Sequence, residues 1–562
     1  MDRSPFWPRD LPHGLTLPET SLWVNLEVSA RRHPDKTAFI CYDSTITFAQ
    51  LLDEAQKLAG FLQRRCGVAR GDRVLLFAQN SFQFVIAYYA ILRADAVVVP
   101  INPMNLTAEL RKFVADCTPK AAIVAQELWP QAAPLAEDGT LAHVIVAAYS
   151  DYLREPTDLK VPDAFKLPRQ AIKGERVTLW TDAIAASLSP GEHTVGPDDL
   201  CCLPYTSGTT GEPKGCMHTH RSVMHTLVGG IEWFRGVPET IYLGVLPWFH
   251  VTGMQNSMNT PIYMGSTVVL LPRWDREVAA ELIKRYRVQA WTLIPTMVVD
   301  LLASPNAASF DLSSVQRMTG GGAAMPEAVA TRLIELCGLT FVEGYGLTET
   351  MAPTHINPPD RPKKQCLGIP IFDTVAMVVD PVTLEELPAN EVGEIVASGP
   401  QNFSGYWGKP KATAEAFFER GGRKFFRTGD LGRVDAEGYY FLVDRLKRMI
   451  NAAGMKVWPA EIESALYGHP DIQEACVVAA RDARRGETVK AFVVLKPARR
   501  GQVRAEDIIE WARGKMAAYK VPTQVAFEES LPKSATGKIQ WRVLQERENA
   551  APSPGGAASK PE

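Results

Sequence analysis

The chain has 562 residues, 46% hydrophobic and 22% charged, with a formal net charge of −3. At roughly 150 residues per domain, that length suggests about four domain-sized units. The composition excludes collagen-like and wholly disordered chains. No run reaches the ~18 unbroken apolar residues of a membrane span; the best, Phe84 to Ile101, is interrupted by Arg93 and Asp95. The opening Met1-Asp2-Arg3-Ser4-Pro5 has no apolar signal region after it, so a soluble, cytoplasmic protein is expected.

The charge is divided unevenly. From Asp444 to the end, 20 Lys and Arg face 15 Asp and Glu, a net of +5, which leaves −8 on residues 1–443. A basic C-terminal fifth on an acidic body is suited to contact a polyanion. The nine cysteines contain no C-x-x-C pair, and adjacent Cys201 and Cys202 are poorly placed to bridge, as expected of a reduced protein. His218, His220 and His225 lack a Cys or carboxylate at metal-ligand spacing and read as surface, hydrogen-bonding histidines.

In chain order, Thr47-x-x-Gln50 reads as a capping box opening a helix with Leu51, Leu52, Ala55, Leu58, Ala59 and Leu62 on one face. Arg73 to Ala78 reads as a strand, Phe82 to Leu92 as a helix and Ala96 to Pro100 as a buried strand. A short helix after Thr107 and a strand at Ala121 to Ala125 follow. This βαβ alternation predicts a parallel sheet. It returns between Leu200 and Gly346, with strands at Thr267 to Leu271, Ala290 to Ile294 and Leu339 to Glu343, and helices at Glu277 to Tyr286 and Pro326 to Leu336. Short strands and Gly turns from Pro370 to Val443 suggest a small β-barrel. A compact α+β unit then carries helices from Pro459 and Ala505 and strands near Ala475 to Ala479 and Ala491 to Leu495. The Pro/Gly/Ala/Ser-rich residues 551–562 read as a disordered tail.

The strand Leu200 to Tyr205 runs into Thr206-Ser-Gly-Thr-Thr-Gly-Glu-Pro-Lys214-Gly215. Alternating hydroxyls and glycines let backbone N–H and side-chain O–H groups converge on phosphate oxygens, and Lys214 adds charge. The Gly-to-Lys spacing is not that of a Walker loop. Tyr205-Thr-Ser-Gly-Thr-Thr-Gly-Glu-Pro-Lys-Gly215 resembles the signature of the adenylate-forming superfamily: acyl-CoA synthetases, peptide-synthetase adenylation domains and firefly luciferase. Seven motifs follow in the family's order: Leu246-Pro-Trp-Phe-His250, Gly320-Gly-Gly-Ala323, Gly344-Tyr-Gly-Leu-Thr-Glu349, Arg427-Thr-Gly-Asp430, Asp444-Arg-Leu-Lys447, Gly454-Met-Lys-Val-Trp-Pro-Ala-Glu-Ile-Glu463 and Pro532-Lys-Ser-Ala-Thr-Gly-Lys538. The resemblance spans roughly residues 20–545. It implies an α/β fold in which a large N-terminal body, residues 1–443, holds two α/β sheet subdomains and a small β-barrel. A small mobile α+β lid would occupy residues 444–550.

It also implies the chemistry. A carboxylate is a poor acyl donor, so the family transfers it to AMP, releasing pyrophosphate, and a thiol then displaces AMP. By resemblance, Thr206, Ser207, Gly208, Thr209, Thr210, Gly211 and Lys214 hold the β- and γ-phosphates. Tyr345 stacks on adenine in a pocket lined by Gly321, Gly322 and Ala323. Thr348 contacts the α-phosphate, Glu349 holds Mg²⁺, and Asp430, assisted by Arg445, takes the ribose hydroxyls. Lys538 is the catalytic ammonium bridging carboxylate and α-phosphate, and Lys447 is the hinge. After rotation of the lid, Gly454 and Met455 admit the pantetheine arm of coenzyme A, with Lys456 a candidate for its phosphates. A Lys in this last loop resembles a reported acetylation target, which would make an acetyltransferase and deacetylase acting on Lys538 partners of the chain.

The acid is the open variable. Peptide-synthetase domains usually place an Asp where this chain has His250, as fatty-acyl and aryl synthetases do, and no carrier domain follows. Acetate-specific members carry a Trp at the position of Gly346. His250, also a catalytic candidate, Val251, Thr252, Gly253, Gly320, Gly344, Gly346, Met351 and Ala352 are the acyl-pocket candidates, while Trp248 and Met254 read equally as core. Glu343 stands where Gln is common. The expected activity is an ATP- and Mg²⁺-dependent acyl-CoA synthetase for a medium- or long-chain fatty acid. Alternatives are an aryl-CoA ligase, a luciferase-like oxygenase (disfavoured by Asn451 where that chemistry uses Lys) and a non-catalytic nucleotide-binding module. The partners expected are the carboxylic acid, ATP and CoA, with no nucleic acid. A homodimer and a peripheral membrane contact stay open.

Overall fold

The computed structural model describes residues 6–206, 213–322, 325–445, 448–452, 455–482, 486–534 and 537–550. Among these the α/β alternation builds two sheets. In the larger, six strands run parallel: Thr37–Cys41, Thr267–Leu270, Ile241–Gly244, Ala290–Leu293, Arg317–Gly320 and Phe341–Leu347. Antiparallel strands flank them, Ser44–Thr47 on one side and Ala352–Ile356 with Ile369–Pro370 on the other. The second sheet follows the order His218–Thr219, Leu200–Cys202, Val97–Pro100, Arg73–Phe77, Ala121–Ala125, Val144–Ala147 and Val177–Leu179. Its central strands are buried on both faces, which explains their unbroken apolar runs.

The helix Phe82–Arg93, the core of the most apolar stretch in the chain, is buried through Leu92 and ties the two layers together. Phe84 packs on Trp248, and the Tyr89 hydroxyl donates to Asn259 Oδ1 at 3.1 Å. Among the described residues no helix is long and apolar enough to cross a membrane. The capping box at Thr47 forms as read: Thr47 Oγ1 accepts from the Gln50 N–H at 3.2 Å, Gln50 Oε1 accepts from the Thr47 N–H at 2.9 Å, and the helix runs over Phe48–Arg64.

The strands expected as a small β-barrel form a five-stranded antiparallel sheet around the long strand Arg423–Val434. The strand read over Leu200 to Tyr205 is split. Leu200–Cys202 belongs to the second sheet, whereas Tyr205–Thr206 pairs with Lys214–Gly215 in a hairpin of its own. The C-terminal unit has its own sheet, in which Gly486–Leu495 lies between Ile472–Asp482 and the parallel strand Gln524–Phe527. It also has its own core around Ile450, Val457, Ile462, Leu466, Val477 and Val493. The tail, residues 551–562, lies outside the described residues.

The fold brings the chain's motifs to one edge. The strands ending at Gly244, Leu293, Gly320 and Leu347 are neighbours in the larger sheet, and the segments 246–250, 294–296, 320–322 and 348–350 leave their carboxyl ends together. That is where open α/β sheets bind ligands.

Packing overrides intrinsic helix preference at Gly60. A Cβ there would lie 1.9 Å from the Leu188 oxygen. Gly60→Ala, which would favour an isolated helix by about 1 kcal/mol, is therefore expected to lower the thermal unfolding temperature. An unchanged or raised melting temperature would contradict this packing.

Candidate active site

The hairpin Tyr205–Thr206/Lys214–Gly215 presents the phosphate-loop motif, whose tip, residues 207–212, lies outside the described residues and includes Ser207, Gly208, Thr209, Thr210 and Gly211. Its base is clamped. The Tyr205 hydroxyl donates to Asp116 Oδ2 at 2.6 Å, and Lys409 Nζ pairs with Asp116 Oδ1 at 2.6 Å. Thr206 and Lys214 face each other across the hairpin.

The C-terminal unit reaches into the body at Gly322. A Cβ built on Gly322, whose φ is +85°, would lie 2.6 Å from Lys538 Cε and 3.0 Å from its Nζ. The space left by the missing side chain is filled by this lysine. Thr296 donates to the Gly537 carbonyl at 3.2 Å, and within the loop Ser534 Oγ accepts from the Lys538 N–H at 3.2 Å. Burial, with the Lys538 charge as a second cause, holds His250 near pKa 3. That imidazole is neutral, and its Nδ1 accepts from the Thr252 N–H at the start of Val251–Met254.

Beside them lies the strand Phe341–Leu347. The Tyr345 hydroxyl donates to Asp430 Oδ2 at 2.7 Å, and Asp430 sits opposite Arg445 in the adjoining ladder. The strand ends in the tight turn Thr348–Thr350, followed by two residues in the left-handed region, Met351 (φ 46°) and Ala352 (φ 73°). Such conformations cost on the order of 1–3 kcal/mol each without glycine. Buried Thr350 holds the turn: its Oγ1 accepts from the Leu347 N–H at 3.0 Å and donates to the Ala352 carbonyl at 2.8 Å. The turn is tied to its surroundings through His218 Nε2, 2.7 Å from the Thr348 oxygen, and the Phe403 N–H, which donates to the Glu349 carbonyl at 2.8 Å. The Tyr406 hydroxyl donates to Glu349 Oε1 at 2.8 Å, and Lys214 Nζ stands 5.0 Å over the centre of the Tyr406 ring.

Of the acyl-pocket candidates, Val251, Gly253, Met351 and Ala352 are buried, Thr252, Gly320 and Gly344 are half-buried, and Gly346 is exposed. At Gly346 a Cβ would lie 1.9 Å from the Ala352 oxygen. The approach of the neighbouring strand thus demands glycine there, a reason separate from room for an acyl chain. Trp248 and Met254 are core. Ala323, Lys447 and Gly454 lie outside the described residues, and for Arg445 and Lys456 only the backbone is described.

The three histidines read as surface residues are all buried. His218 holds Thr348, His220 Nδ1 accepts from the Leu22 N–H at 3.0 Å, and His225 lies 3.8 Å from Asp373. Among the described residues no three His, Cys, Asp or Glu form a metal-binding group. Sequence reasoning passed over Asn80, whose side chain donates to the Leu246 carbonyl and accepts from the Trp248 N–H, fixing the segment before His250. It also passed over Tyr406 and Thr350, and it named His218 without any signal of the contact to Thr348. Glu343 is buried, accepts from the Met325 N–H at 3.3 Å, and is pushed up to about 8 by burial.

A family model described as "AMP-binding enzyme" matches residues 26–407, and one described as "AMP-binding enzyme C-terminal domain" matches residues 461–538. The chain belongs to the AMP-binding enzyme family. The superfamily read from the motifs is thereby confirmed, and the α/β fold class by the solved structure below. A long-chain-fatty-acid–CoA ligase of Bacillus subtilis (strain 168) is 36% identical over 550 residues, covering 96% of this chain and 97% of its own length. A feruloyl-CoA synthase of an Amycolatopsis species is 34% identical over 514 residues, covering 91% and 95%. ATP-bound MatB from Rhodopseudomonas palustris superimposes with a TM-score of 0.82 at 28% identity, covering 95% of this chain and 99% of that one. In this AMP-binding enzyme the second matched domain ends at Lys538, the residue that fills the Gly322 notch.

Two outcomes follow from this geometry. In Gly322→Ala the added methyl displaces Lys538, so amine-modifying reagents should label Lys538 faster than in the parent; an unchanged labelling rate would refute the close approach. Burial lowers the pKa of His218 to about 4 and of His220, His250 and His355 to about 3. Their NMR signals should stay in the neutral form from pH 8 down to 5, and imidazolium shifts near pH 6.5 would contradict it. Because the unfolded chain takes up those protons below about pH 6.5, each histidine lowers stability as the pH falls through that value.

Proposed function

We propose that this AMP-binding enzyme is an ATP-dependent acyl-CoA synthetase that converts a carboxylate and ATP to acyl-AMP and pyrophosphate, then transfers the acyl group to CoA. The observation that carries the reading is the lysine of the C-terminal unit inserted over Gly322, beside a neutral His250. An ammonium there offsets the repulsion between the substrate carboxylate and the α-phosphate as they meet, without a second cation competing at His250. Thr206, Lys214 and the loop between them would hold the terminal phosphates. Tyr345, fixed through Asp430, would stack on adenine, and Asp430 would receive the ribose hydroxyls.

Glu349 fits Mg²⁺ as a hard oxygen donor oriented by Tyr406. Mg²⁺ commonly takes one or two protein carboxylates and completes its shell with phosphate oxygens and water. When bound it would supply charge neutralisation on the phosphates. Residues 1–443 would act as the body, whose last strand runs on to Arg445, and 444–550 as the lid, and rotation about Lys447 would exchange Lys538 for Gly454 and Met455.

For the acid, we favour a medium- or long-chain fatty acid, supported by the Bacillus subtilis relative's high identity and near-complete coverage. The second reading, an aryl-CoA ligase, has the feruloyl-CoA synthase in its favour. Pyrophosphate release over a panel of C2–C18 and aryl acids, with and without CoA, separates the two; absence of CoA-dependent turnover with every acid would refute the function. Lys538→Ala should slow adenylation by about 10²–10³-fold and leave thiolysis of supplied acyl-AMP within a few-fold. Equal loss in both half-reactions would remove Lys538 from its assigned role.

A further inference from the structure

Resting on that reading of the site, we propose that His218 is a positioning residue for adenylation: its imidazole donates to the Thr348 carbonyl and holds in place the turn that carries Thr348 and Glu349. The contact is a strut between the two sheets. His218 lies on the edge strand His218–Thr219 of the second sheet, paired with Leu200–Cys202, and Thr348, 130 residues later, opens the turn after the strand Phe341–Leu347 of the larger sheet. A carbonyl only accepts, so the 2.7 Å contact places the hydrogen on Nε2. The other ring nitrogen lies 3.3 Å from the Ser222 oxygen, whose own hydrogen goes to the Thr219 carbonyl at 2.9 Å. The residue is 0% exposed, so this donor reaches Thr348 from inside the fold.

The turn needs such a hold because its own backbone works against it. Met351 and Ala352 are both left-handed, and relaxation of either would swing the preceding residues. Thr350 closes the turn upon itself, but His218 and the Phe403 N–H connect it to the rest of the body. Without the imidazole, the Thr348 carbonyl loses a buried donor, and the turn can exchange that loss for a relaxed backbone. A shift of about 1 Å at a reacting group costs up to about 10²-fold in rate. Thr348 and Glu349 would move relative to Lys214 and Lys538, and adenylation, which needs all four, would lose far more than the second half-reaction, which keeps only the Thr348 contact to the acyl-AMP phosphate.

The test compares His218→Leu, His218→Gln and His218→Asn in the full chain. Gln presents an amide N–H at about the reach of Nε2, and Asn presents the same group one methylene short. The measurements are ATP dissociation constants in Mg²⁺, the rate and KM for ATP of pyrophosphate release with the best acid of the panel, and thiolysis of supplied acyl-AMP. We expect kcat/KM for ATP to fall about 30-fold in the Leu and Asn variants, ATP binding to weaken several-fold, thiolysis to change less than threefold, and Gln to recover most of the loss. The proposal is overturned if Leu and Asn adenylate normally, if both half-reactions fall together, or if Gln is no better than Asn. Should the Leu variant fail to fold, the Gln and Asn pair decides by itself. A parent enzyme that binds ATP but releases no pyrophosphate with any acid would refute the function, while the ATP dissociation constants of the variants would still judge His218.

Discussion

Gly322 has no side chain, and the aliphatic end of Lys538 fills the space that a Cβ would occupy. Much of the arrangement around the sheet edge depends on this contact between two separately cored units. The body supplies a notch at the carboxyl ends of its parallel strands, and the C-terminal unit supplies one long cationic side chain from a loop. Neither unit contains both halves. Among the described residues, Thr296 of the body donates to the Gly537 carbonyl of the loop that carries this lysine, and Ser534 Oγ accepts from the Lys538 N–H.

The second constraint is local. A strand ending in a tight turn, followed by two left-handed residues, puts Thr348 and Glu349 at the sheet edge at a conformational cost. Thr350 closes that turn upon itself, and His218, Phe403 and Tyr406 tie it to the surrounding structure, each with a hydrogen bond that the turn cannot make alone. Neutrality is part of this design. Burial keeps His218 and His250 uncharged, so neither imidazole adds a positive charge to those of Lys214 and Lys538. Glu343, also buried, stays largely protonated at neutral pH instead of adding a negative charge beneath the strand.

The charge division in the sequence takes on a spatial meaning. The +5 segment begins at Asp444, which is built into the last strand of the body, where it pairs with Leu431. Asp444 also accepts the Ala460 N–H at the start of the helix Pro459–Leu466 of the C-terminal unit. Body and basic unit therefore meet at an acidic residue that belongs to the sheet of one and caps a helix of the other.

Much of the fold was legible in the sequence alone, because its signals are local. Apolar runs of strand length, the capping box at Thr47 and the 3.6-residue spacing after it need only neighbouring residues to be recognised, and the ordered motifs from Thr206 to Lys538 sufficed for the family. Where the sequence misled, distant parts of the chain were in control. Leu200 to Tyr205 is one apolar run, but two different partners split it. His218, His220 and His225 are polar letters in the sequence, and the groups that meet them in their buried positions, Thr348, Leu22 and Asp373, come from distant parts of the chain. Asn80, Thr350, Tyr406 and the His218 strut carry no periodicity or motif, since their value lies in a carbonyl, amide or carboxylate contributed from elsewhere. Local pattern thus determined which elements form and which chemistry the chain carries. The tertiary structure decided which side chains hold that chemistry in place, because hydrogen bonds across sheets depend on distance in space and leave no trace in spacing along the chain.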